Sequence, residues 1–451
     1  MQEKDKAQEV LSELSSGAVS IARLAEKYHQ ADIAAAINRI DDNELIIKIL
    51  SELGNDIGSE VLTHLNEETR EIILEKFSTE KLGDFIEEMS SDDAADILAE
   101  VEVERAEDIL DNVSEEVEQD VQRLMEYPED TAGGLMQTEL VSSPGHFTVA
   151  EAIDNLKGMT EEIGDFHNIF VIDKDRKLTG VLPLQKLIIS PNEARIDSLL
   201  EGQKPIAVTV DTDQEEVANI FMKYDLVSIP VVDGAGKLLG RIMFDDIADV
   251  LEEEADEDIM MMVGADDEAL ASTHSAIDTA RYRFPWLGSS LLGGFITGAL
   301  ILNFKATLSE ALALVAFIPV VMGISGNVGA QSSALVIRSL ATGRLDAASL
   351  KGYIYKELKV GFLLGSGCGL LAGVGAYIWI GSGVLGFVVG VSIMISLVFA
   401  AIMGAVIPLV FKWLKVDPAI AGGPITLAMN DITGILIFFA MAAILLAGIG
   451  L

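Results

Sequence analysis

The chain has a single cysteine, Cys368, set in an apolar run. That excludes an intrachain disulfide and any cysteine-based zinc cluster. Its five histidines, His29, His64, His146, His167 and His274, are scattered without ligand spacing, and read as surface or cap residues rather than metal ligands. No Walker-type GxxxxGK[ST] segment occurs, which removes an ATP-driven pump. No grouping of nucleophile, base and orienter is visible, so no enzyme is expected. The opening MQEKDKAQEV lacks an apolar core and a cleavage pattern. The N-terminus is therefore expected to stay in the cytoplasm.

Acidic residues are scarce only toward the C-terminus. Residues 281–451 hold five, Glu310, Asp346, Glu357, Asp417 and Asp431, against ten Lys and Arg. Residues 1–280 hold the other 66 with 21 bases, a net of −45 with His neutral. A field of that size repels nucleic acid and anionic lipid and attracts cations, whether metal ions or basic partners. Nucleic acid is excluded as a partner on that ground.

About twenty apolar residues span a bilayer as a helix. Five stretches qualify, roughly 285–304, 311–337, 360–380, 384–411 and 421–449. Arg281 and Arg283 precede the first; Arg338, Arg344, Lys351, Lys356 and Lys359 separate the second from the third; Lys412 and Lys415 separate the fourth from the fifth. The opposite connections hold only Lys305. By the positive-inside rule the acidic half is cytoplasmic and the C-terminus faces outside. The third span carries Gly361, Gly365, Gly369 and Gly373 four apart, a close-packing helix face.

Few polar residues interrupt these spans. In MGISGNVGAQSSALVIRSLAT, Ser325 and Gly326 are expected to break the second helix, while Asn327 and Gln331 fall four apart on one face. In PITLAMNDITGILIFF, Thr426, Asn430 and Thr433 share one face and Leu427, Asp431 and Gly434 the adjacent one. Interhelical hydrogen bonding and pore lining are both open for the amides and threonines. Asp431 is the only charged side chain after Asp417. An ionised group at membrane depth costs roughly 2.5–3.5 kcal/mol on insertion scales and persists mainly beside water or a cation. The span interiors offer it no Lys, Arg or His, which favours a cation from outside the chain.

The acidic half repeats itself twice. From Asp42 to Met125 a twelve-residue period runs through seven units, ending STEKLGDFIEEM, SSDDAADILAEV, EVERAEDILDNV and SEEVEQDVQRLM. Twelve residues suit a two-turn helix and a turn, with Ser78, Ser90 and Ser114 as N-caps, and stacked short helices make a solenoid. Beyond Gly133 and Gly134, NIFVIDKDRKLTGVLPLQKLI at 168–188 recurs as SIPVVDGAGKLLGRIMFDDIA at 228–248. Each copy reads as strand, turn, strand and helix after an amphipathic helix. The pair resembles tandem CBS domains, since both keep the V-[IV]-D-x-x-x-K-L-x-G core.

Acidic helical repeats, a CBS pair, an acidic linker and five spans, in that order, resemble the MgtE family of magnesium transporters over almost the whole chain. GISGNVGAQSSALVIRSLATG at 323–343 and LAMNDITGILIFF at 427–439 look like its pore signatures. The expected fold is multidomain: a cytosolic α-helical solenoid (1–130), α/β CBS domains (131–200 and 201–251), an acidic connecting helix (252–280) and a five-helix transmembrane domain (281–451). The resemblance implies a homodimer around one pore in the plasma (inner) membrane, and the glycine stripe is compatible with such an interface. It implies that Mg²⁺ crosses at Asp431 with Asn430, Asn327 and Gln331, while Mn²⁺, Co²⁺ and Ni²⁺ are left open. It further implies closure by cytosolic Mg²⁺ at Glu60, Asp92, Asp96, Glu215, Asp225, Asp246, Asp249, Glu254, Glu257, Asp258 and Asp417. Bridging these acids would move the connecting helix toward the pore mouth near Asp417. Family members differ from this chain at Ala330, where some carry an amide, and at Gly423, where some carry Asn. CBS pairs that hold adenine nucleotides usually have Gly-h-x-Ser/Thr-x-x-Asp after the second strand. Here Pro183 and Met243 replace the hydroxyl and Lys186 one Asp, so binding of an adenine nucleotide, known for some relatives, is left open. The alternatives are an ion-coupled secondary carrier and a membrane-anchored CBS sensor.

Overall fold

A computed structural model describes residues 3–16, 21–158, 166–200, 202, 204–265, 276–304, 312–342, 345 and 350–449. It contains two compact units, Met1–Leu251 and Glu252–Leu451.

The first unit begins with α1 (Glu3–Ser16), α2 (Ile21–Lys27) and α3 (Gln30–Ile37). Seven helices follow: α4 (Asn43–Glu52), α5 (Asn55–Thr63), α6 (Glu67–Lys76), α7 (Thr79–Ile86), α8 (Ser91–Ala99), α9 (Val103–Leu110) and α10 (Glu115–Leu124). Each starts twelve residues after the last. The side chains of Asp42, Asn66, Ser78 and Ser114 accept from amides of the first turn and so set the starting points. Ser90, expected to do the same, instead donates its hydroxyl to Asp93 Oδ2 at 2.8 Å. Every unit buries an apolar residue at the same position of the period, Ile49, Val61, Ile73, Phe85, Ile97, Ile109 and Val121, with others beside it. Helices two apart stack, α3 on α5 on α7 on α9 in one row and α4 on α6, α8 on α10 in the other. A single long helix is thereby ruled out.

Next come β1 (Ser142–Pro144), α11 (Val149–Gly158), β2 (Asn168–Ile172), β3 (Leu178–Pro183), α12 (Leu184–Ile189) and α13 (Ile196–Leu199). The second copy has β4 (Val208–Thr209), α14 (Gln214–Tyr224), β5 (Ser228–Val232), β6 (Leu238–Met243) and α15 (Phe244–Val263). Both sheets have three strands, the first parallel to the second and the second antiparallel to the third. Asn168 faces Pro183 as Ser228 faces Met243, and an irregularity after Val171 recurs after Val231. The copies clasp each other across equivalent turns, with Leu178 N donating to Gly236 O and Leu238 N to Arg176 O, both at 3.0 Å. The segment before β1 attaches to the second copy: Ala132 N donates to Thr212 O at 2.7 Å, and Gln137 and Arg241 exchange backbone hydrogen bonds at 2.8 and 3.0 Å. The solenoid and second copy consequently share one apolar core, while the first copy has its own.

In the second unit, among the described residues, five helices are long and apolar enough to cross a membrane. They are α16 (Ala276–Asn303), α17 (Ile318–Ala341), α18 (Leu350–Ile380), α19 (Gly383–Trp413) and α20 (Pro424–Ile449), with a 3₁₀ turn at Leu312–Phe317. The expected break in α17 is absent: the helix continues through Ser325 and Gly326, and Ser325 Oγ donates to Val321 O at 2.6 Å within it. The glycine stripe of α18 packs on α19. A Cβ at Gly365 would stand 2.6 Å from Met394 O, and one at Gly373 2.8 Å from Gly386 O. That face is filled inside one chain and is not available to a second copy.

Gly369 sits in the same row, its Cβ position 2.5 Å from Gly390 O. Overpacking here moves backbone rather than a flexible side chain. Gly369→Leu should lower the thermal midpoint of the detergent-purified protein by several degrees, corresponding to a loss of about 1–3 kcal/mol or more. An unchanged midpoint would contradict the packing described.

Candidate ion pathway and acidic cytoplasmic clusters

Asp431 lies in the first half of α20 and is half-buried. It faces α17 at Gly326, where a Cβ would be 3.8 Å from Asp431 Oδ1. The neighbouring turns are equally close: a Cβ at Gly434 would meet Ser325 Oγ at 2.7 Å. Small residues thus bring α17 and α20 together around the carboxylate. Asn327 and Gln331 are exposed on α17. Asn430, expected in the same pathway, is instead fully buried, its amide packed onto Gly329. Among the described residues its Oδ1 and Nδ2 have no hydrogen-bond partner. Thr426 donates to Ala421 O, and Thr433 donates to Met429 O at 2.8 Å. The threonines therefore serve local backbone rather than another helix.

A second intramembrane-domain carboxylate escaped the sequence reading. Helix α18 starts at Leu350, some ten residues before the apolar run, and carries Glu357 into the protein, where it is 2 % exposed. Ser332 Oγ of α17 donates to its Oε2 at 2.8 Å. The available signal was one acid among Lys351, Lys356 and Lys359.

At the N-terminus of α20, the end of α15 makes very close contact. Gly264 adopts φ +75° and closes α15, with Gly264 N donating to Met261 O at 3.1 Å and Ala265 N to Met260 O at 2.9 Å. A Cβ on Gly264 would lie 2.6 Å from Pro424 Cγ, and one on Gly423 2.9 and 2.8 Å from the carbonyls of Met261 and Met262. Gly423 therefore admits the linker backbone where a side chain would hold it off. One turn back on α15, burial, then Asp417 and then Glu254, push Asp258 up to about 6. Asp417 Oδ1 also accepts from Ala419 N at 2.7 Å. Glu257 is on the same helix and half-buried.

The first unit has its own cluster, which combines Asp92 with Asp246 and Asp249. Asp92, 6 % exposed, accepts from Gln137 Nε2 at 3.0 Å and from Asp93 N at 3.0 Å. Burial, then Asp92 and Asp245, push the carboxyl of Asp246 well up, and Met243 N donates to it at 3.1 Å. Burial also raises Glu139, which accepts from Ser91 Oγ at 2.9 Å and feels Asp92. Asp249 acts on Asp93. Asp93, Asp245, Glu139 and the buried Arg241 extend the group beyond the residues expected. Asp96 is exposed one turn after Asp92 on α8; Glu60 is on α5, Glu215 in the first turn of α14 and Asp225 at its left-handed cap, φ 51°. An all-oxygen donor set suits a hard divalent cation. Among the described residues, however, no three such side chains have metal-holding geometry, so a cation bound there would have to draw them closer.

A family model described as "Divalent cation transporter" matches residues 318–441, one described as "MgtE intracellular N domain" matches 28–130, and "CBS domain" matches 202–253. The "Magnesium transporter MgtE" of Bacillus subtilis (strain 168) is 37% identical over 322 residues, 71% of each chain. That of Thermus thermophilus is 38% identical over 333 residues, 73% of each. A crystal structure of the cytosolic domain of the Mg²⁺ channel MgtE in complex with ATP is similar over 54% of this chain and 98% of that one, at 32% identity and TM-score 0.50.

A carboxyl group whose pKa is raised on folding adds stability that is complete below its ordinary value near 4 and is lost as pH rises through the folded value. For Asp258 that window runs from about pH 4 to about 6. Without divalent cations, the thermal midpoint of the purified chain should rise between pH 7.5 and 5.5. Asp258→Asn should raise the midpoint at pH 7.5 and flatten the slope relative to the parent; equal slopes would contradict the crowding at Asp417.

Proposed function

The chain belongs to the MgtE family of magnesium transporters, and from that premise we propose that it is a Mg²⁺-selective channel-like path closed by cytosolic Mg²⁺. The observation that carries the reading is Asp431, half-exposed in the fifth span beside Gly326. The basic side chains of the spans lie near the start of α16, the end of α17, the start of α18 and the end of α19. If successive helices alternate, those ends share one side, which supports a cytoplasmic N-terminus and an outside C-terminus in the plasma (inner) membrane.

Mg²⁺ prefers six oxygens in near-octahedral array and gives up water reluctantly. One carboxylate per chain is too few ligands, so the reading places two copies about a shared axis. Asp431 of each then holds the ion largely through its water shell, with exposed Asn327 and Gln331 adding amide oxygens. The glycine stripe has no part in that dimer. A divalent ion gains roughly 4.6 kcal/mol per 100 mV of inside-negative potential, so voltage alone suffices. A coupled carrier is the second reading, and buried Glu357 is the observation in its favour. Uptake driven by voltage with protons and Na⁺ symmetric separates the two.

Closure runs through α15. Mg²⁺ neutralising Asp246 and Asp249 of this helix with Asp92 of α8, and Glu254 and Asp258 of this helix with Asp417 before α20, favours the arrangement in which its end meets Gly423. A ligand shifts such an equilibrium only by binding one state better, and carboxylates brought together supply that difference. Adenine nucleotide is not needed for this closure; Asp246, at the motif position that would meet a ribose, accepts from Met243 N through one oxygen and keeps acceptor capacity.

Asp431→Ala should abolish Mg²⁺ uptake into proteoliposomes, and Asp431→Asn should reduce it severely, with folded, membrane-inserted protein in both cases. Normal flux in Asp431→Ala would remove the ion-site assignment. Replacing Asp246 and Asp249 together with Asn should shift closure to higher cytosolic Mg²⁺ in inside-out patches, because ligand loss outweighs relief of repulsion at millimolar Mg²⁺. An unchanged or left-shifted curve would discard this gate.

A further inference from the structure

Between Leu238 and Gly264 the chain has nine acids and one base, Arg241. Arg241 is 3 % exposed at the centre of β6. Its Nε donates to Gln137 Oε1 at 3.1 Å, and the same amide donates through Nε2 to Asp92 Oδ2 at 3.0 Å. The backbones of Gln137 and Arg241 are also paired in both directions. The guanidinium is thus held through Nε by the amide that also holds Asp92, and the backbone pairing fixes the strand position from which it extends. Glu139, Asp92, Asp246 and Asp245 all act on it. These carboxylates come from α8, the segment before β1 and the start of α15, so their mutual repulsion acts across three parts of the first unit.

We propose that Arg241 is the built-in cation of this cluster and sets the Mg²⁺ concentration at which the cluster responds. The inference rests on the regulatory reading above and deepens it. A tethered guanidinium provides one positive charge in place and cannot leave. It holds the acids together in part and lowers the negative field that a divalent ion meets, which weakens that ion's binding by Coulomb interaction. Without Arg241 the cluster repels itself more strongly when Mg²⁺ is low. It also binds Mg²⁺ more tightly.

The test is the thermal midpoint of the full chain in detergent, titrated with MgCl₂ from EDTA to 20 mM at constant ionic strength held with choline chloride, a range of roughly millimolar affinities for regulatory sites. Arg241→Gln should unfold several degrees below the parent in EDTA, approach it at saturating Mg²⁺, and reach half its response at a Mg²⁺ concentration lower by about tenfold. Arg241→Lys, which keeps the charge, should follow the parent's titration. A purely scaffolding arginine would give the same deficit at every Mg²⁺ concentration, and that result overturns the proposal. So does failure of Arg241→Gln to fold at saturating Mg²⁺, where the divalent ion should replace the lost charge. If the parent itself shows no response to Mg²⁺, the regulatory reading fails; if it responds and the variant's curve does not move, only the role of Arg241 fails.

Discussion

The constraint on which the membrane unit depends is the cost of an ionised carboxylate in apolar surroundings where, among the described residues, no Lys, Arg or His shares the span interiors with it. Asp431 is tolerable only where water or a mobile cation reaches it, and its helix environment is arranged accordingly. Gly326, Ser325 and Gly434 let α17 and α20 approach without bulk around the carboxylate. Asn430, one residue away, is turned inward onto Gly329, so a single step along the helix separates a buried packing group from a half-exposed carboxylate. Glu357 meets the same constraint differently, by accepting from Ser332 in the interior.

Outside the spans the problem is inverted: many carboxylates in one place, with few positive charges. Burial and crowding raise Asp246, Glu139 and Asp258 together. Such groups favour any state in which a proton or a cation neutralises them. One helix, α15, carries acids of both clusters and ends on the glycines before α20. In the proposed account this shared helix is why cytosolic Mg²⁺ and the path through Asp431 belong to one mechanism.

Much of this was legible in the sequence because it rests on periodicity. The twelve-residue helix starts, the sixty-residue duplication down to its matching irregularities, and the five spans all follow from repeated local signals. Asp431 was legible because nothing else nearby is charged. What escaped depends on which of several available partners a side chain takes, some three or four residues away and some far along the chain. Ser90 found Asp93 in place of its own helix amides. The glycine stripe of α18 found α19, the next helix in the chain. Ser325 satisfied itself within α17. Glu357 looked like a loop residue until the helix began before the apolar run. Arg241 gave one signal, a lone base in an acidic stretch, and its meaning came only from Gln137 and Asp92.

The account's central claim, a passive Mg²⁺ path governed from the cytoplasmic side, is tested most directly by the current–voltage relation of the purified protein in a planar bilayer. With a tenfold Mg²⁺ gradient and a large impermeant counter-ion, the account predicts reversal near the Mg²⁺ equilibrium potential, about 30 mV per decade for a divalent ion. It also predicts loss of that current when only the cytoplasmic side is raised to millimolar Mg²⁺. A reversal potential that follows a proton or Na⁺ gradient instead, or a current indifferent to cytoplasmic Mg²⁺, would contradict it.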